Sequence, residues 1–111
     1  MNDNKPCYDT AEQNQFARFE TAEHGSFALP YSALLCAHLT PAAAGATSQV
    51  FTLIYSTHTV TIQGTQLGSL LLAFQKGRAE AVRLGGSQPS TGAVPAIRQI
   101  IVAEGVSQRN I

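Results

Sequence analysis

The chain has 111 residues, of which 44% are apolar and 13% charged, with a formal net charge of zero. That length suits one domain with a single hydrophobic core, the charge balance argues against a dedicated nucleic-acid binder relying on many phosphate contacts, and two cysteines make no disulfide framework. About a quarter of the residues of an ordinary soluble domain are charged, so this surface gives up its water unusually easily.

The charges are also unevenly placed. Residues 24–75 contain no Lys, Arg, Asp or Glu. Before them acids are in excess, with Asp3, Asp9, Glu12, Glu20 and Glu23 against Lys5 and Arg18. After them bases are in excess, with Lys76, Arg78, Arg83, Arg98 and Arg109 against Glu80 and Glu104.

Residues 1–13 are polar and without periodicity, and are expected to be a disordered leader. They lack the apolar stretch of a secretory signal. Residues 14–111 are expected to form a single α+β domain. From Gln15 to Thr21 polar and apolar residues alternate like a half-exposed strand, a turn follows at His24 and Gly25, and 26–29 returns as the second arm of a hairpin. Residues 31–39, between Pro30 and Pro41, are ambiguous. Their Ala and Leu content favours helix, but so short a segment makes a marginal helix, and a strand suits the surrounding meander better. Residues 40–49 read as a loop of small residues.

Residues 50–55 are β-branched and aromatic, and 59–63 alternate so that Val60 and Ile62 share one face and Thr59, Thr61 and Gln63 the other. Residues 56–58 connect these two strands. Thr65 is a candidate N-cap for a helix over about 65–76. Leu67, Leu70, Leu71 and Phe74 form its apolar stripe, Gly77 is its left-handed terminator, and Leu72 lies off the stripe. Gly68 is expected to let the helix approach the sheet closely. Residues 79–84 and 96–104 read as strands on either side of a Gly, Ser and Pro loop. The fold class is therefore α+β: a mostly antiparallel sheet or open barrel of six to seven strands with one helix packed on it. The strand–helix–strand unit from Thr59 to Leu84 suggests a parallel pair within one sheet.

No apolar stretch approaches the roughly 20 residues that span a bilayer, so the expected location is cytoplasmic with no membrane partner. His24, His38 and His58 are each without a second ligand at metal spacing, apart from Cys36 beside His38. That pair reads as two partly buried core residues, Cys36 as a small buried hydrophobe, and no metal or cofactor is expected. The glycine-containing loop after Leu84 has no lysine and leads to a strand, which does not fit a phosphate cradle.

Uncharged strands lack the usual protection against edge-to-edge pairing. The sequence thus points to a non-catalytic binding or structural domain that self-associates, a two-fold dimer being the simplest form. Leu72, Tyr55, His58, Thr59 and Thr61 are its candidate interface residues. One alternative is a nucleic-acid-binding domain using a basic patch of Lys76, Arg78, Arg83 and Arg98. Another is a small enzyme with a site near Cys36, His38 and Tyr31.

Overall fold

A computed structural model describes residues 7–12, 14–21, 25–85 and 95–104. The strands among these are β1 (Tyr8–Thr10), β2 (Phe16–Thr21), β3 (Gly25–Pro30), β4 (Leu34–Pro41), β5 (Ser48–Tyr55), β6 (His58–Thr65), β7 (Ala79–Arg83) and β8 (Ala96–Glu104), with a 3-10 turn at Tyr31–Ala33 and a helix, α1, at Gly68–Gln75. They form two four-stranded sheets. Sheet 1 has the order β1-β7-β2-β3 and sheet 2 the order β4-β5-β6-β8.

The class is α+β and largely antiparallel, but the expected single sheet or open barrel of six to seven strands is replaced by eight strands in two sheets. The additional strand is β1. Residues 8–10, assigned above to a disordered leader, pair antiparallel with β7, and Cys7 beside them is buried. Residues 1–6 lie outside the described residues.

The hairpin of β2 and β3 has the expected antiparallel register, from Phe16 opposite Pro30 to Thr21 opposite Gly25. The turn residue His24 lies outside the described residues. The ambiguous segment before Pro41 divides between the two readings: Tyr31–Ala33 make one 3-10 turn and the chain then extends as β4. The expected parallel pair across the helix is not formed within one sheet. The helix instead carries the chain from β6 in sheet 2 to β7 in sheet 1, where β7 runs parallel to β2.

Alternation places Ala17 and Phe19 of β2, Phe51, Leu53 and Tyr55 of β5, and Val60 and Ile62 of β6 in the core. The helix adds Leu70, Ala73 and Phe74, preceded by Leu67. Phe74 sits at the junction. Its ring lies 5.9 Å from Phe19, 5.6 Å from Phe51 and 5.8 Å from Tyr31, centroid to centroid. These rings join helix, sheet 1 and sheet 2 in a single apolar cluster.

The helix is shorter than expected and starts differently. Thr65 ends β6 and does not cap the helix. The backbone N–H of Leu67 instead donates to the side-chain oxygen of Gln49 in β5, at 2.8 Å. A partner distant in sequence thus satisfies one of the donors that a helix start leaves open. At the other end Gly77 takes a positive φ of 69°, and the Arg78 N–H bonds the Ala73 carbonyl at 2.8 Å, as a left-handed terminator requires.

The glycine of close approach is Gly64, not Gly68. No atom outside the helix lies near the place of a Gly68 Cβ, whereas a Cβ at Gly64 would overlap the Ala96 carbonyl oxygen of β8. The contact falls where the β6–β8 register shifts, with Gln63 opposite Gln99 and Gly64 opposite Ile97. Arg98 is the extra residue of that bulge.

Candidate functional site

The uneven charge of the sequence becomes a division between the two sheets. On the outward face of sheet 1, Arg83 bonds Asp9 at 2.7 Å and approaches Glu20 at 3.6 Å, and Arg18 bonds Glu20 at 3.1 Å. The network joins β1, β2 and β7, and its neighbouring carboxylates raise the Arg83 guanidinium further above its ordinary value. Ala81 lies beneath these side chains, buried but outside the core cluster.

Among the described residues, the outward face of sheet 2 has no such network. Its register gives three rows running across the strands. Cys36, Ile54, Thr59 and Ala103 make one row. His38, Thr52, Thr61 and Ile101 make the next, and Thr40, Val50, Gln63 and Gln99 the third. None of the twelve is Lys, Arg, Asp or Glu, and all are exposed or half-buried. The solvated face of an antiparallel sheet is ordinarily polar; here β-branched and neutral residues fill it, with Arg98 bordering one corner at the bulge.

The expected interface residues divide on this geometry. Thr59 and Thr61 lie on the outward face, and Leu72 is 53% exposed on the helix. Tyr55 is fully buried and cannot be a surface contact. His58 points between the sheets, its ring 6.3 Å from Phe27, with Nδ1 bonded to the Thr57 hydroxyl at 2.8 Å. The register parity decided both cases, because each lies one residue out of step with the outward set. Of the uncharged strands in sheet 2, β4 is at an edge, while β5 and β6 are interior strands.

Cys36 and His38 share a face as expected, but that face is the outer one, so they are exposed and not core residues. The Cys7 and Cys36 thiols are free, the first buried and the second exposed. Burial raises the Cys7 thiol above its ordinary value, partly opposed by its backbone hydrogen bond and by Arg83. Among the described residues no three His, Cys, Asp or Glu side chains are grouped as metal ligands. Tyr31 lies near the N-terminal end of β4, its hydroxyl donating to the Ala79 carbonyl at 2.8 Å.

The expected basic patch is dispersed. Lys76 and Arg78 are exposed beyond the helix, Arg83 is held in the carboxylate network of sheet 1, and Arg98 is in sheet 2. Strands β7 and β8 belong to different sheets, so Arg83 and Arg98 are not on adjacent strands.

Reading by sequence missed an edge groove of about 400 Å³ between β4 and α1, lined by Leu34, Leu35, Cys36, Ala37, Leu71, Phe74 and Gln75. It adjoins a second hollow of about 480 Å³ that shares Phe74 and Gln75 and adds Asn14, Gln15, Tyr31, Lys76 and Gly77. Leu35 was the available signal, as a leucine at an unpaired position of a bulged strand, but the bulge is visible only in the β4–β5 register.

Among the described residues, two hydroxyls, those of Tyr55 and Thr59, are buried without a hydrogen-bond partner. Burial raises both Tyr31 and Tyr55 above the ordinary tyrosine value of 10.0, Tyr31 to about 12, and the neighbouring Tyr31 further disfavours ionisation of Tyr55. An acid whose folded value is raised stabilises the fold fully below its unfolded value and loses that contribution as pH rises through the folded one. Stability is therefore expected to fall as pH rises from 10 towards 12. Tyr55→Phe removes the unpartnered hydroxyl with little change of shape and is expected to stabilise the fold by about 1 kcal/mol at neutral pH and to weaken the alkaline loss. Urea unfolding of both forms at neutral pH and above pH 10 measures this; a destabilised variant would show that the hydroxyl has a partner.

No protein-family model matches this chain, and comparison with curated proteins and with solved structures finds no match. Among the described residues no helix is long and apolar enough to cross a membrane.

Proposed function

We propose that this protein is a small non-catalytic association module whose copies pair through the outward face of sheet 2. The observation that carries this reading is the absence of formal charge from all three rows of that face, in a molecule that concentrates its ion pairs on the opposite sheet. Burying a neutral threonine, valine or isoleucine surface strands no charge, whereas burying an unpaired ion is costly. The face is also self-complementary in electrostatic terms, as a two-fold interface requires.

Its size is sufficient. Four strands about 4.8 Å apart, each extended for about 27 Å, present roughly 500 Å² per copy, or roughly 1,000 Å² for a pair. That reaches the lower bound for a specific interface. Exposed Ile101 and half-buried Ile54 and Val50 supply apolar area, and Thr40, Thr52 and Thr61 can exchange hydroxyl hydrogen bonds across it.

The test is sedimentation velocity over a concentration series. The parent protein is expected to dimerise at micromolar concentration. Thr61→Glu, which brings like charges together across a two-fold contact, is expected to weaken the dimer by about 100-fold. Ala28→Glu, on the outward face of sheet 1, is the control and is expected to leave it unchanged. A parent protein that stays monomeric at several hundred micromolar would end the proposal, as would a dimer indifferent to Thr61→Glu.

A further inference from the structure

The edge of β4 that faces away from β5 has no strand paired to it among the described residues. Four consecutive β4 residues, Leu34 to Ala37, all line the groove beside α1. Cys36 lies on the outward face and Ala37 packs against the core, so a groove that touches both has the strand's main-chain edge as its wall. Leu71 and Phe74 of α1 form the opposite side. The space between is an uncharged channel along an open strand edge.

The channel has a direction. Leu35, the extra residue where the register passes from Leu34 opposite Tyr55 to Cys36 opposite Ile54, stands 65% exposed at its mouth. The second hollow shares Phe74 and Gln75 with the groove and is also lined by Tyr31, which precedes β4 in the chain. Among the described residues, Lys76 is the sole charged side chain lining either space. The apolar part therefore runs along β4, and a single cation marks the end nearest the start of that strand.

We propose that this groove binds the carboxyl-terminal segment of a partner protein, added as an antiparallel strand to β4 with its terminal carboxylate at Lys76. Main-chain hydrogen bonds to the open edge supply affinity that does not depend on sequence, and the apolar wall selects uncharged side chains at alternate positions. The antiparallel direction follows from the position of Lys76: a chain that ends there must run from the Ala37 end of the groove towards Leu34. Asn14 and Gln15 add side-chain amides to the same hollow. A peptide with acidic residues along its length would carry them into the neutral channel and pay their desolvation.

The groove shares only Cys36 with the outward face of sheet 2, and Thr61 lies two strands away from β4, so peptide binding and self-association can be tested separately. Thr61→Glu is expected to bind peptide as the parent does, whichever way the sedimentation experiment turns out.

The probe is a pool of acetylated hexapeptides built from valine, isoleucine, leucine, threonine and alanine with a free terminal carboxylate, alongside the same pool amidated. Binding is followed by amide chemical shifts of the isotopically labelled full chain. The free-acid pool is expected to shift residues 34–37 and 71–77 saturably, and the amidated pool to bind about fivefold more weakly. Lys76→Ala is expected to abolish that preference while leaving weak binding of both pools. Leu35→Asp, an exposed substitution that leaves the core intact, is expected to abolish binding of the free-acid pool. Equal affinity for the two pools, shifts confined to other residues, absence of binding at millimolar peptide, or saturable binding of laurate at 34–37 in place of peptide would each overturn the assignment.

Discussion

Phe74→Ala is expected to destabilise the protein by about 3–5 kcal/mol, the range for deleting a buried aromatic side chain. The position makes the upper part of that range the expected result. The Phe74 ring touches the rings of Phe19 in sheet 1, Phe51 in sheet 2 and Tyr31 ahead of β4. Truncation opens a cavity where three elements meet, and rigid strands on two sides cannot collapse to fill it. Stabilities of 5–15 kcal/mol are usual for a domain, so this one change removes a large fraction of the total. Urea unfolding followed by circular dichroism measures it; a variant with no soluble cooperative transition agrees with the expectation, and a loss below about 1 kcal/mol, which falls outside the range for buried aromatics, contradicts it. The same ring floors both the edge groove and the adjoining hollow, so a folded Phe74→Ala protein is also expected to lose peptide binding.

Gly64→Ala is expected to cost about 1–3 kcal/mol, the usual penalty for overpacking, and Gly64→Val more. Gly64 is buried between Gln49 of β5 and Ile97 of β8. An added methyl meets the Ala96 carbonyl oxygen and approaches the Ile97 Cα. Both are main-chain atoms in a paired strand, so no side-chain rotation relieves the overlap and β8 itself must move. A loss of 1 kcal/mol lowers Tm by about 4–8 °C in a domain of this size, and the amide shifts of residues 96–104 are expected to change with it. Gly68→Ala is the comparison. Open space surrounds that position, the residue is already helical, and alanine is the better helix former by up to about 1 kcal/mol. Thermal unfolding of the pair tests the assignment: a Gly64→Ala protein as stable as the parent would show that β8 does not pass so close.

The two glycines also show where sequence reasoning stopped. Both were visible as breaks in patterned segments, and the small residue beside the helix was the natural candidate for close packing. Which one meets a neighbouring backbone depends on the β6–β8 register and its bulge, and a register between segments more than thirty residues apart has no local signal. The helix start behaved in the same way. Thr65 had the right chemistry for a cap, but the donor at Leu67 is satisfied by Gln49 of β5, one strand further back in the chain. Leu67, Leu70, Leu71 and Phe74 were legible because a helical repeat of apolar residues is a local pattern, and burial of three of them with partial burial of Leu71 follows it. Cys7 was not legible. Its polar neighbours resemble a loose leader, and only pairing of β1 with β7 encloses it.

What the sequence determined by itself is the existence of β2, β3, β5 to β8 and the one helix, and the confinement of charge to the two ends of the chain. Periodicity and composition are local properties, so they survive without knowledge of the neighbours. The tertiary structure alone decided that the neutral segment supplies β3 to sheet 1 and three adjacent strands to sheet 2 with the helix beside them, while Asp9, Arg18, Glu20 and Arg83 from both ends of the charge pattern meet on the outward face of sheet 1. It also decided that β4 is an edge and β6 is not. Strand order and register are set by long-range pairing, and a shift of one residue exchanges the buried face for the exposed one; that is why Thr61 is available to a partner and Tyr55 is not.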